Sequence, residues 1–69
     1  MEQMTKTTID SLPPDAVYRR RDGSIWMKVT ERLHAKARQT LRFNVWITTT
    51  PPVELTPEEL NEEVEILSQ

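Results

Sequence analysis

Cysteine is absent from this 69-residue chain, and glycine and histidine occur once each, as Gly23 and His34. The first absence removes disulfides and thiolate metal sites together. A lone histidine rules out an imidazole-rich metal centre. A single glycine leaves no material for a glycine-rich phosphate cradle or a glycine-built oxyanion loop. The serines Ser11, Ser24 and Ser68 stand without a histidine–carboxylate arrangement, so no catalytic residue is assigned. Apolar runs are short, and none has the length of a membrane span. The opening "MEQMTKTTIDSLPPD" lacks a basic region followed by an apolar core, so it does not read as a secretory signal. The expectation is a cytoplasmic, non-enzymatic protein with no cofactor, no metal, no membrane partner and no small-molecule substrate.

Basic residues are missing from another place, the last third. Residues 47–69 carry six glutamates and no lysine or arginine, a net of −6. Residues 17–46 hold eight of the nine basic residues against Asp22 and Glu31, a net of +6. Division of charge on this scale points to binding surfaces more than to chemistry. A chain this short buries only about 60% of the surface its unfolded form exposes, so support from a partner or a second copy is an early expectation.

What is present begins after a polar segment ending in Pro13-Pro14, and residues 1–15 read as a flexible lead-in to one mini-domain over 16–69. "AVYRRR" and "SIWMKV" flank Asp22-Gly23, the pair that suits a two-residue type I′ hairpin. Under that turn Tyr18 faces Met27 and Arg20 faces Ile25, while Arg19 pairs with Trp26 and Val17 with Lys28 on the opposite side. A one-residue bulge would shift the register and turn one strand over. "TERLHAKARQT" reads as a loop or a turn or two of helix. "LRFNVWITTT" alternates apolar Leu41, Phe43, Val45 and Ile47 with Arg42, Asn44, Trp46 and Thr48, the pattern of a half-buried strand.

Pro51-Pro52 closes that strand, and Thr56-Pro57-Glu58-Glu59 has the form of a capping box. Leu60, Val64 and Leu67 then recur at helical spacing, predicting an amphipathic helix over about 57–68 with Ile66 at its border. The expected fold class is therefore α+β: a three-stranded antiparallel meander with one C-terminal helix packed on one face. A small SH3-like or OB-like barrel plus helix is the alternative. Tyr18, Ile25, Met27, Val29, Leu41, Phe43, Val45 and Ile47 would meet Leu60, Val64 and Leu67 in the core.

This arrangement sets Arg19, Arg21, Trp26, Lys28, Arg42 and Trp46 on one exposed face. Tryptophan and arginine are the residues enriched at binding hot spots, which favours a partner protein or self-association. Charge interleaved with flat rings also suits single-stranded nucleic acid, the alternative function on the same face. Glu58, Glu59, Glu62 and Glu63 form a second, acidic docking surface, or a surface that folds back onto the chain's own arginines.

Overall fold

The computed structural model describes residues 6–69, and its architecture is a seven-stranded antiparallel sheet. Its strands are β1 (Lys6–Thr8), β2 (Val17–Arg19), β3 (Ile25–Lys28), β4 (Leu33–Gln39), β5 (Trp46–Thr48), β6 (Val53–Glu54) and β7 (Glu63–Ser68). A 3-10 turn (Ile9–Ser11) follows β1, and a single helical turn, α1 (Pro57–Leu60), precedes β7. The spatial order is β1-β7-β2-β3-β4-β5, with β6 also lying along β4. No helix among the described residues is long and apolar enough to cross a membrane.

The three-stranded sheet with a packed C-terminal helix is thus overturned. The capping box does form: Thr56 Oγ1 accepts from Glu59 N at 3.1 Å, and Thr56 N donates to Glu59 Oε1 at 2.8 Å. The helix stops after one turn, at Asn61. Its continuation would stack glutamates at i, i+4, which costs a few tenths of a kcal/mol per pair. An isolated helix of a dozen residues is marginal in any case. "EVEILS" instead extends between two strands, with Val64 opposite Thr7 on β1 and Ile66 opposite Tyr18 on β2. Pairing on both edges outweighs a helix held by one apolar stripe.

Register explains most of the remaining differences. Arg20 N donates to Ser24 O at 2.8 Å and Gly23 N to Arg20 O at 2.9 Å, so the β2–β3 loop has three residues instead of two. Only Gly23 in that loop has positive φ, at +92°, as expected for a type I turn closed by a bulge glycine. Asp22 Oδ1 accepts from Ser24 N and Ser24 Oγ, which fixes the turn from its side chain. The extra loop residue moves the pairing by one: Tyr18 faces Trp26, Val17 faces Met27 and Arg19 faces Ile25. Trp26 and Lys28 therefore join Tyr18 on the covered face, and Arg19 joins Ile25 and Met27 on the other.

"LHAKARQ", expected to be loop or helix, is the longest strand. Its β3 edge pairs Lys28 with His34 and Trp26 with Lys36. Its far edge is filled in succession by β5, opposite Ala37 to Gln39, and β6, opposite Leu33 and His34. Between them Thr49 N donates to Lys36 O at 2.7 Å, and Lys36 N donates to Thr50 Oγ1 at 3.0 Å. A central position buries His34, Ala35 and Ala37 although the segment is polar by composition.

The lead-in also belongs to the fold from Lys6 onward; residues 1–5 lie outside the described residues. Ile9 and Leu12 are buried with Ala16, Tyr18 and Val64, and Trp26, Leu55, Leu60 and Ile66 pack against them. Pro14 and Asp15, the latter at φ +74°, turn the chain so that Ala16 N reaches Pro13 O at 3.3 Å. Asp15 N then donates to Lys28 O at 2.7 Å. The segment 9–16 lies across one face of the sheet as its cover. The opposite face carries the half-buried Ile25, Met27, Trp46 and Leu67.

Candidate interaction surface

The predicted strand over residues 41–48 is strand only from Trp46. Before it the chain makes a four-residue hairpin loop: Thr40 N donates to Val45 O at 2.7 Å, and Asn44 N to Thr40 O at 3.1 Å. Asn44 sits at φ +60°, a conformation that asparagine tolerates better than most residues. Gln39 Nε2 and Val45 N complete the loop by donating to Asn44 O and Thr40 Oγ1. Leu41 and Phe43, expected in the core, therefore stand on the hairpin tip, with Leu41 fully exposed and Phe43 72% exposed. Val45 and Ile47 along the stem are exposed at 50% and 37%. Arg42 lies over the Phe43 ring, its Cζ 5.5 Å from the centroid. Four of the five large apolar side chains exposed among the described residues thus lie on this one hairpin.

Beside the hairpin stem runs an open groove of about 710 Å³. Ile25, Leu67 and Trp46 supply its apolar walls, and Arg19 and Arg38 its charges. Arg19 Nη1 donates to Glu65 Oε1 at 3.0 Å, so the cation at that wall is matched by a carboxylate. Tip and groove are contiguous, because Arg38 and Trp46 belong to both the hairpin and the groove wall.

The six residues expected on one basic and aromatic face are dispersed. Arg19 and Trp46 meet in the groove, Arg42 sits at the tip, and Arg21 is exposed beside the β2–β3 turn. Trp26 is half-buried against the core, its Nε1 donating to Ser24 Oγ at 2.9 Å. The cation over its ring is Arg20, at 5.4 Å, not Arg19. Lys28 is 2% exposed, with Nζ donating to Leu12 O at 2.6 Å and Asp10 O at 3.4 Å. A one-residue register change is sufficient cause for the loss of Trp26 and Lys28 from that face.

The acidic quartet divides likewise. Glu62 binds Arg20 Nη2 at 2.7 Å and also accepts from Arg21 N, and Glu59 lies 3.6 Å from Arg20. The Arg20 hydrogen bond holds the Glu62 carboxyl below its usual range, and hydrogen bonds from Thr56 do so for Glu59. Two of the four glutamates thus neutralise the chain's own arginine. Glu58 and Glu63 are exposed and make no ion pair among the described residues.

One polar cluster lies inside. Tyr18 Oη and the fully buried His34 Nδ1 share a hydrogen bond at 3.0 Å, with Lys28 directly across the strand pair from His34. Burial first, then the Lys28 and Arg20 charges, hold His34 below its ordinary range; burial pushes the Tyr18 phenol up. His34 Nε2 has no hydrogen-bond partner among the described residues. No group of three or more metal-ligating side chains converges there or elsewhere among the described residues.

Sequence reasoning missed Leu41, Phe43 and Val45 as surface residues because alternation alone cannot distinguish a strand from a hairpin loop of apolar residues. Thr40 and Asn44 were the local signals, a hydroxyl and an αL-tolerant residue spaced to close a turn. No protein-family model, no curated protein and no solved structure matches the chain.

Proposed function

We propose that the chain is a non-enzymatic protein-interaction module of the cytoplasm, binding through the β4–β5 hairpin tip and the adjoining groove. The observation that carries this reading is the exposure of Leu41, Phe43 and Val45 together on one hairpin. Burying such side chains contributes roughly 1.5–3 kcal/mol each, and the fold itself leaves that gain unused. Tyr18, Lys28 and His34 are sealed under the segment 9–16, where no substrate reaches them, which supports binding over catalysis. Arg19, Arg38 and Trp46 keep a second reading alive: two cations and one ring in a groove suit a single-stranded nucleic acid.

A photo-crosslinking phenylalanine analogue at position 43, with a second at the exposed position 31, tests the reading in cells that express the chain. A discrete adduct is expected from position 43, lost when Leu41→Ser is added and absent from position 31. No discrete adduct from position 43 overturns it. Saturable quenching of tryptophan emission by a mixed-sequence single-stranded oligonucleotide, weakening steeply with salt, would replace it with the nucleic-acid reading.

A further inference from the structure

We infer that the occupant of this surface is an acidic linear segment of a partner protein, in which glutamate or aspartate is interspersed with aliphatic or aromatic side chains. The inference rests on the interaction-module reading and names the chemistry of its partner.

Charge supports it first. The groove is lined by Arg19 and Arg38 and by no carboxylate, whereas three other depressions on the surface each carry at least two. Lys36, Arg38 and Arg42 make no ion pair among the described residues, and no acidic residue occurs between Glu31 and Glu54. The chain matches Arg20 with its own Glu59 and Glu62, but supplies nothing of the kind to the hairpin. Arg19 gives one N–H to Glu65 in a half-exposed pair worth little, and a guanidinium has further donors for a second carboxylate. Arg42 lies over the Phe43 ring, which steadies a fork suited to a carboxylate beside an apolar side chain.

Apolar composition then selects a peptide over a nucleic acid. Stacked bases need successive rings, and this surface offers Trp46 in the groove and Phe43 at the tip among a majority of aliphatic side chains. Ile25 and Leu67 on the walls, with Leu41 and Val45 on the hairpin, match aliphatic partners instead. A groove of about 710 Å³ is in the range of sites that enclose a small ligand, so it takes a few side chains and not a folded domain. Glu58 and Glu63, exposed elsewhere on a chain of net charge −2, oppose a long polyanion, whereas a short acidic segment lies along the basic hairpin alone.

Selection of short random peptides displayed on phage, against the immobilised chain, tests the assignment. Enrichment of peptides combining acidic with apolar residues is expected on the wild type and not on the Arg38→Gln, Arg42→Gln double variant. Both arginines are exposed, so circular dichroism should show the double variant folded. A labelled peptide of the enriched sequence, titrated by fluorescence anisotropy, should bind saturably and more weakly as salt rises. Its counterpart with glutamine and asparagine in place of the acids should bind roughly tenfold more weakly or worse. Lys6→Gln, on the strand at the far edge of the sheet from β5, should change nothing. Enrichment of basic or uncharged peptides, or acidic peptides held equally by the double variant, overturns the occupant. Saturable binding of a single-stranded oligonucleotide, with no peptide enriched, gives the surface to nucleic acid. No enrichment together with a crosslinked protein adduct at position 43 removes the acidic segment alone. No enrichment with no adduct removes the interaction reading as well.

Discussion

Replacing Phe43 with alanine separates a strand with a buried face from a hairpin with an exposed tip, because the two assign that ring opposite environments. In a core, truncating phenylalanine costs about 3–5 kcal/mol. On the tip the ring is 72% exposed, so it retains about a quarter of the roughly 1.5–3 kcal/mol that full burial contributes. The Arg42 guanidinium at 5.5 Å adds about 0.5 kcal/mol at so exposed a site. Together these set a loss of about 1 kcal/mol or less, a fall in Tm of roughly 4–8 °C at most for a domain of this size. Urea unfolding followed by tryptophan emission measures it, with Trp26 as reporter because it packs against the core cluster. The chain must be dilute, since association would add a concentration-dependent increment that the substitution also removes. A loss of about 3 kcal/mol or more with an unchanged urea slope would show the ring to be buried in the monomer and would refute the hairpin geometry.

Trp26→Ala should behave oppositely, costing about 2 kcal/mol as a half-buried ring against the core, whereas Trp46→Ala should impair binding first and folding little; the same urea titration and the peptide titration distinguish them. Gly23→Ala should cost about 1–2 kcal/mol through its positive φ alone, since a Cβ there meets nothing within 4 Å, and Gly23→Asn should recover part of the loss on thermal unfolding. His34 is held below its unfolded value of 6.5, so its neutral form supports the fold fully above that pH. That support is lost as pH falls from 6.5 toward the depressed value, and urea midpoints of wild type and His34→Gln compared at pH 7 and pH 5.5 should show the decline only in the wild type.

Local features were the legible part of the fold. A hairpin turn at Asp22-Gly23, a helical start at Thr56, and Tyr18 and Val64 as core residues all follow from short stretches of chain. Register was less accessible, because Arg20 to Ser24 admits either a two- or a three-residue loop and the choice turns every following side chain over. β4 was hidden by composition: its buried positions are His34, Ala35 and Ala37, a polar ring and two side chains too small to stand out beside Lys36 and Arg38. In β7 the helical spacing of Leu60, Val64 and Leu67 coexists with the alternation of Val64 and Ile66. What decides between them is pairing with Lys6–Thr8 and Val17–Arg19, segments more than forty residues away. The site was less legible for the same reason: Arg19 and Trp46 meet in the groove, but their neighbours Leu67 and Ile25 arrive from distant strands.

Placing Lys28 inside and Phe43 outside divides the responses of the molecule to acid and to salt. Lys28 Nζ holds Leu12 O and Asp10 O, so it fastens the 9–16 cover to the sheet, and His34 stands opposite it in the same buried row. A proton on His34 would place a second cation in that row, so acid is expected to loosen the cover that Lys28 fastens. Acid therefore acts on folding, through groups that salt reaches poorly because they are buried. Arg38 and Arg42, in no ion pair among the described residues, and the carboxylates of Glu58 and Glu63 lie in solvent, within reach of screening ions. Salt therefore acts on binding through these groups, and within the monomer on the exposed Arg19–Glu65 pair, which is worth little at such exposure. A titration in which salt shifted the urea midpoint of the dilute chain by several kcal/mol would place the decisive charges inside the fold. Acid that abolished binding at the hairpin without loosening the core would place the decisive titrating group at that surface. Either result would exchange the roles of the buried row and the hairpin tip.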